Sequence, residues 1–160
     1  MTAARAVAVE LLARRPWTCA ELTTRLRRRG APGEVAATVV RDLTARGYLD
    51  DGAFARRWVE QRASRGYGAA RLRNELRARG VAPSLVEAAL AELGGETVTE
   101  AARAAARRRL PALSRAPARR VAARLRDHLM RRGFPASVVS RVIRETTGVQ
   151  DDDRGDRGDG

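Results

Sequence analysis

The chain offers few side chains that could act in catalysis. Its one cysteine, Cys19, falls in the first turn of a predicted helix, where a thiol pKa can be lowered, but no base accompanies it. The one histidine, His128, has no serine, cysteine or carboxylate in the arrangement of a catalytic triad. Asp50 and Asp51 precede a predicted helix and are expected to cap it. One cysteine and one histidine also cannot form a four-ligand zinc site. Because none of these side chains forms a catalytic or metal-binding arrangement, we expect no enzymatic activity, no metal and no cofactor.

Arginine dominates the chemistry of this sequence. All 32 basic residues among the 160 are arginine, and 19 acidic residues leave a formal net charge of +13. The isoelectric point is near 11.6. Such a charge indicates a polyanionic partner, which is either nucleic acid or an acidic protein surface. Part of the charge is expected to lie on ordinary solvated helix faces, which need no partner.

The arginines concentrate on the second helix of each of three similar segments. In the middle segment Leu72 and Leu76 are predicted to face the core, which leaves Arg73 and Arg77 four residues apart with no acid beside them. Equivalent positions and the helix ends extend this pair into a partial stripe with Arg27, Arg28, Arg29, Arg126, Arg131 and Arg132. The pattern favours electrostatic docking to phosphates or to an acidic protein surface.

Three-helix segments also suggest helix-turn-helix DNA readers, whose recognition helices present Arg, Asn or Gln to base edges. The third helix of the middle segment, PSLVEAALAEL, contains none of these residue types and has two glutamates. Base-specific recognition is therefore poorly supported.

The helices that would position these arginines repeat along the chain. LTTRLRRRG, LRNELRARG and LRDHLMRRG each end a basic helix at a glycine, namely Gly30, Gly80 and Gly133. Each repeat is predicted to contain three helices, because apolar residues recur at helical spacing and strand patterns are nearly absent. The predicted helices span 3–15, 18–29, 34–46, 52–64, 69–79, 84–93, 98–110, 117–132 and 136–146.

Several helix ends carry recognisable local signals. Capping boxes are predicted at Thr18–Glu21, Ser84–Glu87 and Thr97–Glu100. Gly68 is predicted to cap the helix that follows it. Left-handed residues are predicted at the helix ends Gly30, Gly47, Gly80 and Gly133.

We therefore predict an all-α fold, an elongated array of three tandem three-helix, helix-turn-helix-like repeats. The repeats span 1–48, 49–95 and 96–147, and a disordered acidic tail spans 148–160. The predicted core of the middle repeat comprises Phe54, Trp58, Val59, Leu72, Leu76, Leu85, Ala89 and Leu90. No apolar run approaches the ~18–20 residues of a membrane span, and the N-terminus lacks the pattern of a signal peptide. We expect a soluble, cytoplasmic monomer that contacts no membrane.

Residues 47–81, GYLDDGAFARRWVEQRASRGYGAARLRNELRARGV, resemble the core motif of the RecX family, which regulates the RecA recombinase. The matching positions are Leu49–Asp51, Phe54–Ala55, Arg62, Gly68, Arg71, Glu75–Leu76 and Gly80–Val81. The flanking repeats are similar to those of the family, so the resemblance covers about residues 5–146. It implies a protein of tandem three-helix repeats that binds along the groove of the RecA–single-stranded DNA filament. It also implies inhibition of strand exchange, ATP hydrolysis and coprotease activity.

The resemblance and the arginine pattern together give the expected contact residues for RecA and single-stranded DNA, bound without sequence specificity. They are Arg27, Arg28, Arg29, Arg62, Arg65, Arg71, Arg73, Arg77, Arg79, Arg124, Arg126, Arg131 and Arg132. Two other functions remain open on the sequence: a sequence-nonspecific nucleic-acid-binding protein that acts without a recombinase, and a helix-turn-helix transcription factor.

Overall fold

The computed structural model describes residues 1–150, which form nine α-helices and no strand within that range. The helices are α1 (Thr2–Arg14), α2 (Cys19–Arg28), α3 (Gly33–Ala45), α4 (Asp51–Ala63), α5 (Ala69–Ala78), α6 (Pro83–Ala91), α7 (Gly95–Leu113), α8 (Ala118–Arg131) and α9 (Ala136–Thr147). The predicted all-α fold of consecutive three-helix segments is confirmed. Every predicted helix boundary except those of α7 is within two residues of the observed one. Most of the predicted disordered tail, from 151 to 160, lies outside the described residues.

The described chain divides into two compact units. Unit 1 contains Met1–Arg62 and Leu72–Leu93, and unit 2 contains Ala63–Arg71 and the chain from Gly94 onward. Helices α1, α2, α3 and α6 therefore lie wholly in unit 1, whereas α7, α8 and α9 lie in unit 2.

The core of unit 1 forms from apolar stripes at helical spacing. In α2 the stripe is Leu22 and Leu26, and these side chains pack with those of α1 and α3. Leu72 and Leu76 of α5 are fully buried in the same unit, as predicted. Burial of a leucine side chain contributes about 1.5–3 kcal/mol, so these pairs fix which faces of α2 and α5 remain in solvent.

Two core predictions are wrong. Leu85 is 37% exposed and Val86 is buried instead, because Val86, Ala89 and Leu90 share one helix face whereas Leu85 and Leu90, five residues apart, do not. Trp58 is only half-buried: its ring stacks on Phe54 at 5.9 Å, and its indole reaches polar groups at the edge of the core. The other predicted members of the middle core are buried.

The predicted capping boxes have different outcomes. Thr18 and Glu21 form one: the Thr18 Oγ1 accepts from the Glu21 N–H at 3.1 Å, and the Thr18 N–H donates to the Glu21 carboxylate. The other two predictions are wrong. Helix α6 begins at Pro83, a residue favoured at the first helical position, and this places Ser84 inside the helix. Helix α7 begins at Gly95, so Thr97 is also internal.

Helix α7 also continues through Pro111 to Leu113, beyond its predicted end at 110. The extension carries Leu113 into the core of unit 2, where it is buried with the alanine face of α7 and with Leu125 and Leu129 of α8. Apolar burial at the extra turn compensates for the hydrogen bond that proline cannot make.

The helix ends at Gly30, Gly47, Gly80 and Gly133 share one geometry. Each glycine has a φ between +79° and +93°, as predicted. The next residue in each case donates its N–H to the carbonyl of the leucine five positions earlier; for Tyr48 this is Leu43, at 2.9 Å. This is the Schellman motif, in which a left-handed glycine closes the helix and the following side chain usually packs back on it.

Within unit 2 the segment before α5 runs against the end of α8. The Gly68 N–H donates to the Arg132 carbonyl at 2.7 Å, and the Ala70 N–H donates to the Gly133 carbonyl at 3.1 Å. A Cβ at Gly68 would lie 2.4 Å from backbone atoms of Gly133 and Phe134. Glycine is therefore required at 68 by a close backbone approach, in addition to its predicted position before the helix.

Candidate functional site

Three glutamates of unit 1, Glu21, Glu75 and Glu87, are held by internal contacts. Glu21 of α2 receives the Arg79 Nη1 at 2.7 Å and lies 3.6 Å from the Arg15 guanidinium. Thr18, which is fully buried, donates its hydroxyl to the Arg79 carbonyl at 2.7 Å. These contacts join the start of α2 to the end of α5 and offset the charge of Glu21.

Glu75 of α5 makes a second internal cluster. Its carboxylate accepts from the Trp58 Nε1 at 2.9 Å and from the Arg62 Nε at 3.0 Å. The Arg79 guanidinium lies 4.2 Å from the centre of the Trp58 ring. Arg62 and Glu75 are both largely shielded, so this bidentate pair fixes the position of α4 against α5 within unit 1.

Glu87 of α6 provides the third contact, which the sequence did not predict. Arg73 donates to its two carboxylate oxygens at 2.6 and 3.2 Å. The hydrogen bond from Arg73 lowers the pKa of Glu87, and the charge of Arg77 lowers it further. The expectation that Arg73 has no neighbouring acid is correct for its own helix but wrong for the folded unit, where α6 supplies one.

With these acids engaged, several guanidinium groups of unit 1 remain available to a ligand. An open groove of about 480 Å³ is lined by α2 and by the end of α5, and its cationic residues are Arg15, Arg25, Arg28, Arg77 and Arg79. We call it the arginine groove. Within residues 1–150, no carboxylate lies within 4.0 Å of Arg25, Arg28 or Arg77. A second depression of about 460 Å³, lined by Thr24, Arg27 and Arg28, adjoins it along α2.

The arginine groove is suited to bind phosphates or carboxylates. A guanidinium presents a planar set of N–H donors that matches either anion in a bidentate contact, and its charge is maintained at all physiological pH values. Among residues 1–150, Glu21 is the one acidic residue that lines it, and Arg15 and Arg79 already hold that carboxylate. The groove is therefore a concentrated site of positive charge.

Unit 2 holds a different arrangement, in which arginines contact the segment before α5. Arg132 donates to the Arg65 carbonyl at 3.0 Å, and both Arg71 and Arg132 place their guanidinium groups within 5 Å of the Tyr67 ring centre. The imidazole of His128 accepts from the Arg132 Nε at 3.1 Å. Burial lowers the pKa of His128, and the charges of Arg132, Arg109 and Arg131 lower it further.

The candidate catalytic groups have structural roles. Burial raises the pKa of the Cys19 thiol, which makes it a weaker nucleophile at neutral pH. Asp50 caps its own helix through the Ala53 N–H at 3.0 Å, and Asp51 accepts from the Cys19 N–H at 2.9 Å, at the start of α2. Among residues 1–150 no cluster of metal-ligating side chains is present.

The thirteen predicted contact arginines fall into separate groups. Arg27, Arg28, Arg29, Arg62, Arg73, Arg77 and Arg79 lie in unit 1, and Arg65, Arg71, Arg124, Arg126, Arg131 and Arg132 lie in unit 2. The structure brings Arg28, Arg77 and Arg79 together in the arginine groove, whereas Arg62 and Arg73 hold α4 and α6 to α5.

Sequence reasoning missed Arg15 and Arg25 as residues of the groove. Arg25 precedes Arg28 by three positions and so shares a helix face with it, a signal that was present in the sequence. Arg15 lies outside any predicted basic helix face, and its proximity to α5 depends on the tertiary fold.

The fold defines a class of proteins built from tandem three-helix domains. Models of the first, second and third three-helix domains of RecX match residues 4–43, 50–90 and 96–143. The chain belongs to the RecX family. It is 41% identical to "Regulatory protein RecX" of Thermobifida fusca over 89% of this chain and 77% of that protein. Identity to the Halorhodospira halophila protein of the same description is 39%, over 98% and 94% of the two chains.

The fold agrees with solved structures of this description. The crystal structure of RecX from Lactobacillus salivarius superposes with a TM-score of 0.85 over 92% of this chain and 97% of that one, at 17% identity. No helix within residues 1–150 is both long and apolar enough to cross a membrane.

Proposed function

We propose that this chain is a non-enzymatic regulator of homologous recombination and DNA repair. It binds the groove of the RecA–single-stranded DNA filament and inhibits recombinase, ATPase and coprotease activity. Membership of a family of regulatory proteins supports the regulatory role. The protein acts in the cytoplasm as a monomer and uses neither a metal nor a cofactor.

The observation that carries this proposal is the arginine groove of unit 1. Within residues 1–150, no carboxylate lies within 4.0 Å of its Arg25, Arg28 and Arg77 guanidinium groups, so these three can bind an external anion. A filament of nucleic acid and protein offers phosphates and acidic side chains side by side, and Arg25, Arg28 and Arg77 can bind either. The arginines of unit 2 supply further contacts, and linked modest contacts combine through effective concentration.

The test is a titration of the chain into a RecA ATPase assay on single-stranded DNA. The wild-type chain should inhibit at substoichiometric concentration. A variant with Arg25, Arg28 and Arg77 all changed to Ala should need about ten- to 150-fold more protein, at about 0.5–1 kcal/mol for each exposed contact. Its binding should also depend less on salt, by a slope of about 2 if all three contact phosphates.

A matched control separates the groove from net charge alone. Arg14, Arg41 and Arg46 are exposed residues of unit 1 that lie outside the groove, and changing all three to Ala removes the same charge. The control variant should inhibit nearly as well as the wild type. If the wild-type chain fails to inhibit RecA at every salt concentration tested, the proposed function is wrong. Equal losses in the two variants contradict the role of the groove.

A further inference from the structure

A second depression of unit 1 gathers most of the aromatic residues of the chain. The sequence contains two Trp, two Tyr and two Phe. Four of these six, Trp17, Tyr48, Phe54 and Trp58, line an open pocket of about 460 Å³. We call it the aromatic pocket. Such a concentration in a chain with 4% aromatic residues is not explained by core packing, because Trp17, Trp58 and Tyr48 are not fully buried.

Tyr48 is unusual among the residues that occupy its structural position. It follows the left-handed glycine of a Schellman motif, where the side chain usually packs back onto the helix. The equivalent residues Val81 and Phe134 are each 3% exposed, and Ala31 packs against the core. Tyr48 is 69% exposed, although its N–H is bonded to Leu43 in the same way. The Schellman hydrogen bond therefore fixes the backbone of Tyr48 at the edge of the pocket, while its ring remains exposed to solvent.

The other rings of the pocket already have partners. The Trp17 ring is covered by the Arg15 guanidinium at 3.4 Å, and Phe54 stacks on Trp58. Within the described part of the chain, no ring or guanidinium packs on Tyr48. Tyr48 is thus an exposed aromatic ring with a face available for stacking.

The position of the pocket indicates the chemistry of its occupant. Trp17 lines both the aromatic pocket and the arginine groove, so the two adjoin each other within unit 1. Arg57 adds a further cation, and Asp50, the one carboxylate that the described chain places in the pocket lining, is engaged in capping α4. A polyanion with flat apolar groups attached along it complements this pair of surfaces, and single-stranded nucleic acid has that structure.

We propose that the aromatic pocket binds an unstacked base of a single strand whose phosphates lie in the arginine groove. Tyr48 stacks on the base, and the wall formed by Phe54 and Trp58 excludes water from it. Because every base has a π-face, this site adds affinity without selecting a sequence, which agrees with the absence of base-reading residues in α6. The inference rests on the proposed function, since it names the nucleic-acid contact that the function uses.

The experiment compares two probes of equal length: a fluorescently labelled oligodeoxythymidylate and an abasic strand with the same phosphates. The wild-type chain should bind the thymidylate about five- to 150-fold more tightly, the range for stacking of one base. Tyr48→Ala should abolish this preference and leave affinity for the abasic strand unchanged. Tyr48→Phe should retain the preference. The Arg25, Arg28 and Arg77 triple variant should lose affinity for both probes alike.

Equal binding of the two probes by the wild type overturns the proposal. If Tyr48→Ala then still weakens inhibition of RecA, the occupant of the pocket is a protein side chain, which also overturns it. If the Tyr48→Ala variant still prefers thymidylate, the base stacks outside the aromatic pocket, and this result also overturns the proposal. A stacking preference in a chain that does not inhibit RecA would contradict the proposed function alone, so the two failures are distinguishable. Because Tyr48 is exposed, Tyr48→Ala and Tyr48→Phe should unfold at the wild-type temperature in a circular dichroism melt.

Discussion

The close approach of Gly68 to Gly133 makes a quantitative prediction about unit 2. In Gly68→Ala the new Cβ would lie 2.4 Å from the carbonyl carbon and oxygen of Gly133, where ordinary contacts begin at 3.4 Å. The two backbone segments must therefore separate by about 1 Å. That shift would stretch the bond from the Gly68 N–H to the Arg132 carbonyl, now 2.7 Å, beyond hydrogen-bonding distance.

The cost follows from these two effects. Loss of two backbone hydrogen bonds costs about 1 kcal/mol each, and the overpacking costs about 1–3 kcal/mol. The reduced chain entropy of the unfolded alanine variant offsets about 0.5–1 kcal/mol. Gly68→Ala should therefore lower the unfolding free energy by about 2–4 kcal/mol. For a unit of this size the midpoint of thermal unfolding should fall by about 10–30 °C.

Two optical probes can locate the effect. Both tryptophans, Trp17 and Trp58, lie in unit 1, so their fluorescence reports on that unit, whereas far-ultraviolet circular dichroism reports on all helices. Gly95→Ala is the matched control, because nothing lies within 4 Å of a Cβ there. It should be neutral or stabilise by up to about 1 kcal/mol. A Gly68→Ala chain that unfolds at the wild-type midpoint by both probes would refute this reasoning.

Three further changes test other contacts, each by urea unfolding. Glu75→Ala should destabilise the protein by about 2–4 kcal/mol, because the Trp58 indole and a shielded guanidinium lose their acceptor. Thr18→Ala should cost about 2–3 kcal/mol, because it removes a helix cap and leaves the Arg79 carbonyl without its hydroxyl donor. Folding lowers the pKa of His128, so on acidification the imidazole is protonated in the unfolded state before it is protonated in the folded state. The free energy of unfolding should therefore fall as the pH drops through about 6.5.

Controls for these changes exist within the chain. Thr38→Ala removes an exposed hydroxyl that bonds within its own helix. It should change the free energy of unfolding by at most about 0.5 kcal/mol. His128→Gln should remove the pH dependence between about pH 5 and 7. A wild-type stability that is flat over this range would contradict the assigned environment of His128, and a neutral Glu75→Ala would contradict the cluster around Trp58.

The sequence predicted those features whose causes are local. Helix α2 has its cap, its apolar pair and its closing glycine within a single short segment, so its boundaries were predictable to one residue. The capping signal gave a wrong prediction at α6. Ser84 has the residue type of a helix cap, but the helix already begins at Pro83. The predicted core residue Leu85 is exposed, and its neighbour Val86 is buried instead.

The contacts that the sequence did not predict join residues far apart along the chain. Arg73 meets Glu87 because α6 folds onto α5, and the requirement for glycine at 68 depends on Gly133. The candidate site has the same limitation. Its arginines are visible as residue types, but which of them remain unpaired depends on the glutamates that other helices bring to them, as Glu21 is brought to Arg79.

We propose that arginines of this chain bind a RecA–DNA filament through contacts to both its protein and its phosphates. The most direct measurement compares the affinity of the wild-type chain for RecA–single-stranded DNA filaments with its affinity for the same DNA without RecA, at several salt concentrations. The filament should be bound more tightly at every salt concentration, because protein and phosphate contacts both contribute there. Equal affinity for filament and bare DNA would contradict the claim and indicate a sequence-nonspecific nucleic-acid-binding protein.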